Sequence, residues 1–301
     1  MAVLAASAFA GLRYMTAMPG RSYSGPLAPP SGEERALSLR LRLHVASLAS
    51  AERNTDLETS ARYIEAALGR GAISQSFQSG GRTVRNIEIG AGAIVVGAHY
   101  DSERGSPGAD DNASGVAVLI ELARMGLPAR FVAFANEEMP YFNTDEMGSF
   151  AWAARAQRGG ETIKAMLSLE MLGCYSDAPG SQHYPPLFAW FYPDRGDFIG
   201  FVGDLGARRL VHEVTASFRK HAMFPSEGVA APSFIPGVTW SDHWSFRRHG
   251  YPAIMVTDTA FHRYPHYHLP SDTPEKLDYM RMARVTLGLA AVLKDLANEN
   301  R

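Results

Sequence analysis

Several shortages in this chain each exclude a class of protein. A single cysteine, Cys174, stands among 301 residues, so no internal disulfide is available and the fold must rest on its core, whichever redox compartment it occupies. Acidic and basic residues nearly balance, 31 against 29, for a formal charge of −2. No cluster of five or more Lys and Arg occurs, so neither nucleic acid nor acidic lipid is expected as a partner. Internal repeats and low-complexity segments are absent. Residues 1–12 are apolar and rich in small side chains, but they are too short to span a bilayer and no basic residue precedes them, so stable membrane insertion is not expected. They suit a frayed terminus as well as the remnant of a signal or anchor segment. The second case would place the protein in the periplasm or outside the cell, the first in the cytoplasm.

What is present is apolar material, 46% of the residues, enough to fill one large α/β core. Pro, Gly and Ser recur over residues 19–34 and read as a linker. We therefore expect a tail over 1–34 and a single domain over 35–301. Helical spacing over 33–68, broken at 54–56, predicts two helices outside a sheet. Short, nearly continuous apolar runs at 94–98, 131–135, 166–169 and 253–256 suit strands buried on both faces. Between the first two, residues 114–125 have a helical pattern, with Asn112 and Ser114 as candidate caps. This alternation predicts a three-layer α/β/α sandwich around a mixed, mostly parallel sheet, with ligands gathered beyond the carboxyl ends of its strands. Residues 176–192 and 225–237 read as loops, the first long enough to overhang a site.

Each apolar run is followed by residue types that bind metals or move protons. His99 and Asp101 follow the first, Glu137 and Glu138 the second, and Glu170 ends the third. His262, His266 and His268 come shortly after the fourth, and Asp110-Asp111-Asn112 leads into the helix. Zinc takes imidazole nitrogen and carboxylate oxygen, and two His with three carboxylates satisfy two ions if one carboxylate is shared. The presence of His favours zinc, cobalt or manganese over calcium or magnesium. In His99-Tyr100-Asp101 the outer residues point to one side of an extended chain, so Asp101 can accept the second ring N–H of His99. A buried His with an ordinary hydrogen bond fits that short pattern too. Glu137-Glu138 allows a ligand and a general base side by side, although an acidic loop in solvent has the same composition.

Taken in order, GAHYDS, PGADDNASG, NEE, SLEM and HLPSDT resemble the zinc exopeptidase family of bacterial leucyl aminopeptidases and aminopeptidase S. Glutamate carboxypeptidase and glutaminyl-peptide cyclases are its relatives. The resemblance runs from about Arg40 to Leu293. It implies a di-zinc aminopeptidase acting on peptides with a free N-terminus. Asp111 would bridge the ions, His99 and Glu170 would complete one site, Glu138 and His268 the other, and Glu137 would be the general base. His268 is preferred to His262 and His266 because it keeps the family's frame of His, three residues, Asp-Thr. His243 looks like a structural hydrogen-bonding residue. Glu170 stands where many members have Asp, and the Tyr that members offer to the oxyanion shortly before Ser-Asp-His is replaced here by Val238 and Trp240. Three other readings remain: a glutaminyl-peptide cyclase, a carboxypeptidase using Arg247, Arg248 or Arg263 for the substrate carboxylate, and an inactive binding protein on the same fold.

Overall fold

The computed structural model describes residues 2–298, with side chains from Phe9 onward. After the N-terminal helix α1 (Ala2–Thr16) come α2 (Gly32–Leu48) and α3 (Leu57–Leu68), the two helices expected around the break at 54–56. Their starts arise from local chemistry. Ser31 and Glu34 form a capping box on α2, and the Asp56 carboxylate accepts the N–H groups of Glu58 and Thr59 at α3.

Eight strands form one sheet: β1 (Ile73–Ser79), β2 (Arg82–Gly90), β3 (Ile94–His99), β4 (Arg130–Phe134), β5 (Ala165–Glu170), β6 (Ile199–Asp204), β7 (Ser226–Ala231) and β8 (Ala253–Thr257). Their spatial order is β1-β2-β4-β3-β5-β8-β6-β7. The four runs expected as buried strands are the parallel centre, β4-β3-β5-β8. A hairpin whose turn is Gly80-Gly81, both at positive φ, adds an antiparallel edge. At the other edge β6 runs antiparallel to β8 and parallel to β7. The sheet is therefore mixed and mostly parallel, as expected.

Alternation along β3 shows how the layers are built. Ile94, Val96 and Ala98 pack with α2, α3, α4 (Gly115–Arg124), α6 (Arg208–His221) and α8 (Tyr279–Asn298), whereas Val95 packs with Trp152 and Phe246 of α5 (Gly148–Arg158) and α7 (His243–Arg248). The second layer stops at α7. Over β6 and β7 its place is taken by the loop at 176–192, by residues 232–240 and by α1, whose Leu12 packs with Phe188, Ala231 and Val238.

Two expectations change. Part of the stretch expected as a tail is helical, and the segment after that helix lies along the sheet edge, with Ser22 Oγ accepting the Ser226 N–H and Arg219 donating to Pro19 O. Leu12 and Met15 of α1 find cover on the loop cluster, and the Ser22 hydroxyl pairs a backbone group the edge strand would leave open. Likewise, residues 226–231 within the loop expected at 225–237 are strand β7. Among the described residues no helix is long and apolar enough to cross a membrane.

Helices α2 and α4 are tied by Glu121, whose buried carboxylate meets Arg40 Nε at 2.7 Å, Arg124 Nη1 at 3.1 Å and His44 Nε2 at 3.2 Å. Burial alone would raise its pKa, but the bonds from His44 and Arg40 hold it down at about 2. A depressed carboxyl contributes stability above its unfolded value and loses it as pH falls toward the folded one. Glu121→Gln is thus expected to cost on the order of 2 kcal/mol in urea unfolding at pH 7, with the gap to wild type closing between pH 4.5 and pH 2.

Candidate metal centre

The carboxyl ends of β3, β4, β5 and β8 open on one side of the sheet, and every residue singled out above as a ligand arrives there. Asp111 is the meeting point. Its Oδ1 lies 3.3 Å from His99 Nε2 and its Oδ2 3.0 Å from His268 Nε2. Around His99, Glu170 Oε2 is 3.4 Å from Nε2, and His99, Asp111 and Glu170 offer ligand atoms all within 4.8 Å of one another. On the other side Glu138 Oε2 lies 3.4 Å from His268 Nε2. Glu137 Oε2 sits between, 3.9 Å from His99 Nε2. His262 lines the adjoining cavity, His266 bonds Ser271 through Nδ1, and His243 bonds Val238 O through Nε2. Burial lowers the His243 pKa to about 4.

The loops carrying these groups are fixed by carboxylates and amides outside the proposed ligand set. Asp101 takes the N–H of Glu137 on Oδ1 at 3.1 Å and that of Glu138 on Oδ2 at 2.9 Å. The same Oδ1 is 3.4 Å from His99 Nδ1. Asp272 does likewise for the N–H groups of Asp110 and Asp111, at 2.9 and 3.1 Å, and receives the Tyr264 hydroxyl. Asn112 Oδ1 accepts from Gly115 N and Met171 N while its amide donates to Leu169 O, joining the start of α4 to the end of β5. Of the two candidate caps, Asn112 performs this task, whereas Ser114 turns its hydroxyl to Asp110 O and Leu172 N. Beneath the loop, buried Arg53 donates to the carbonyls of Leu48, Tyr100, Pro107 and Gly108. Burial lowers its pKa to about 10.

The electrostatics are lopsided. Asp111, Glu137, Glu138 and Glu170 are buried with Asp101 and Asp242 against two imidazoles. Burial and neighbouring carboxylates push Glu137, Glu138 and Glu170 upward. Burial works against protonated His99 and His268, but adjacent carboxylates outweigh it and raise both. Bonds from His268 and His99 overcome burial at Asp111 and lower it. Glu138 Oε1 is buried with no hydrogen-bond partner. Crowded carboxylates, one of them with an idle oxygen, and two imidazole nitrogens form a donor set that suits a divalent cation of the zinc type.

Three residues escaped the sequence reading. Tyr267 stacks its ring on His268, centroids 3.8 Å apart. Burial and then Asp111, Glu138, Glu137 and Glu170 raise its hydroxyl pKa, and with His268 it lines the cavity beside the centre. Glu103 Oε2 stands 4.0 Å from His268 Nδ1, and Ser241 donates to Glu170 Oε2 at 2.7 Å. The signal for Tyr267 was its place next to His268; the other two carry none. A cavity of about 380 Å³ adjoins the centre and includes Asp111, Glu137, Glu138, Glu170 and His268 in its wall. No Lys or Arg among the described residues lines it. Arg247 pairs with Asp204, Arg248 lies over Trp244, and Arg263 is buried against Gln182, Cys174 O and Phe198 O.

An amide at position 101 presents one acceptor where two N–H groups need one each. Asp101→Asn is therefore expected to cost about 1–3 kcal/mol in chemical unfolding, read against wild type at neutral pH.

The profile of peptidase family M28 matches residues 83–293. YfbL of Escherichia coli K12, described as uncharacterised, is 43% identical over 267 residues, 81% of this chain and 82% of that one. A probable leucine aminopeptidase of Arthroderma benhamiae is 30% identical over 223 residues, 68% of this chain and 55% of the relative. The chain thus spans about half the length of that relative. Among solved structures, LapB from Legionella pneumophila has a TM-score of 0.65 at 21% identity, covering 96% of this chain and 80% of that one. A glutaminyl cyclase from Porphyromonas gingivalis has 0.62 at 19%, covering 86% and 98%. These two structures share the fold. The extent of the family match establishes that this chain belongs to peptidase family M28.

Proposed function

We propose that the chain is a metal-dependent exopeptidase that removes N-terminal residues from peptides, with two zinc ions as cofactor. The observation that carries this reading is Asp111, whose two oxygens face different histidines. In this reading His99, Asp111 and Glu170 hold one ion, and Asp111, Glu138 and His268 hold the other. Cobalt or manganese would suit the same donors. The idle oxygen of Glu138 and the surplus of buried carboxylate support it. When bound, such ions supply Lewis acidity, lowering the pKa of water and drawing charge from a carbonyl oxygen.

The remaining work falls to side chains. Glu137, raised by burial and by Glu170, Asp242 and Asp101, takes a proton from the attacking water on its carboxylate and returns it to the leaving amine. Asp101 fixes that carboxylate by holding the Glu137 N–H. Tyr267 takes the part of donor to the developing oxyanion, in place of the tyrosine missing near Val238. The choice of the amino end rests on the leucine aminopeptidase relatives. It is supported by the lack of a cation in the cavity wall, which leaves a substrate α-carboxylate without a partner.

Zinc-loaded protein incubated with unblocked, N-acetylated and N-terminal-glutamine peptides is expected to shorten only unblocked chains, from the amino end, by mass spectrometry, and to stop when a chelator is added. Ammonia loss from glutamine peptides without shortening would make it a cyclase instead. Glu137→Gln is expected to lower kcat by about 10²–10⁴-fold with both ions retained by elemental analysis. Asp111→Asn is expected to lose both ions together, and loss of one alone would refute the shared ligand.

A further inference from the structure

Strand register sets the floor of the cavity beside the metal centre. Glu170 on β5 pairs with Thr257 on β8, Thr257 with Gly200 on β6, and Gly200 with Glu227 on β7. Directly opposed residues point to one face of a sheet, and all four line the cavity. With strands about 4.8 Å apart, Gly200 lies roughly 10 Å and Glu227 roughly 14 Å from Glu170 along the row. A second lining row, Met255-Val202-Val229, runs beside it. The cavity thus extends across the sheet, away from the proposed ions, over the region that the second helical layer leaves uncovered.

Gly200 keeps this path open. A Cβ there would meet Thr257 O at 3.2 Å and Thr259 Cγ2 at 3.6 Å, so the floor is bare backbone and a larger side chain would project into the space. Tyr184, Phe188 and Phe261 are among the walls. Glu227 closes the far end, but its carboxylate already has Arg219 Nη2 at 3.3 Å and a bond from Ser22. The four carbons of a leucine side chain would reach only partway along this floor, and the space left beyond them toward Glu227 would forfeit contacts. A flat ring over bare Gly200 would instead meet aromatic walls in edge or offset contact.

We propose that this cavity receives the side chain of an aromatic N-terminal residue, tryptophan, phenylalanine or tyrosine, and that Gly200 sets its length; the proposal rests on the N-terminal exopeptidase reading above. Lysine and arginine are disfavoured, since their cations would compete with Arg219 for Glu227.

The test is steady-state hydrolysis of Trp-, Phe-, Leu-, Ala- and Lys-4-nitroanilides by the zinc-loaded protein. The aromatic substrates are expected to exceed leucine in kcat/KM by about tenfold or more, the scale on which extra apolar atoms discriminate in a pocket. Gly200→Val, and Val202→Phe as a second variant that leaves the Gly200 backbone alone, are expected to reverse the order in favour of leucine and alanine. Leucine, alanine or lysine as the best wild-type substrate, or an unchanged order in both variants, would overturn the proposal. Calorimetric titration separates it from the peptidase reading: Glu137→Gln protein is expected to bind phenylalaninamide more tightly than leucinamide, and adding Val202→Phe is expected to abolish the difference. Equal affinities would overturn the aromatic pocket. Absent turnover with the aromatic preference intact would overturn the peptidase reading alone.

Discussion

Two carboxylates, Asp101 and Asp272, each hold a consecutive pair of backbone N–H groups, and the geometry of the centre depends on this device used twice. One clamp fixes the turn that carries Glu137 and Glu138, the other the turn that carries Asp110 and Asp111. A carboxylate suits the task because it offers two acceptor oxygens and no donor, so it can face two adjacent N–H groups without a clash of like dipoles. Asn112 completes the arrangement by tying the Asp111 turn to the strand that ends in Glu170. The side chains that face each other across the centre are thereby referred to the same rigid sheet.

Holding so many acidic groups together has an electrostatic cost that the protein alone does not remove. His99 and His268 are the imidazoles facing Asp111, and they pull it one way while Glu137, Glu138 and Glu170 are pushed the other. In the proposed reading that separation in acidity among neighbouring carboxyls would let one serve as a permanently ionised bridge and another as a proton carrier. Burial and the surrounding charges, more than the identity of the residues, set the acidities apart.

Much of this was legible in the sequence for a physical reason. Strands buried on both faces must be apolar throughout, so β3, β4, β5 and β8 stand out, and the polar residues that end them mark where the site lies. The edges hid for the opposite reason. β1 is polar and largely exposed, and β6 and β7 are diluted by glycine and alanine, so neither carries a period that a window can detect. Residue identity pointed to Asp101 as a partner of His99. Its hold on two amides of the turn after β4, 36 and 37 residues away, depends on sheet order, which spacing does not encode. Tyr267 had only its place beside His268 to mark it, because the stack of the two rings and its place in the cavity wall arise in the fold. The helical α1 reads as a tail in the sequence because the cover for Leu12 and Met15 comes from loops about 170 residues later.

The proposed ion-holding side chains stand at positions 99, 111, 138, 170 and 268, and the clamps draw on 101 and 272. Their convergence requires the central strands to be paired and the final helix region to be docked behind them. Pairings of such long sequence separation are slow to close and form together with the native sheet. The unfolded chain therefore holds no nearby set of these donors, and any cation that occupies the centre acts on the folding equilibrium of the whole molecule by mass action. In the proposed reading metal supply and persistence of the fold become one variable: a cell that loads the centre would also slow the loss of the protein through its unfolded state.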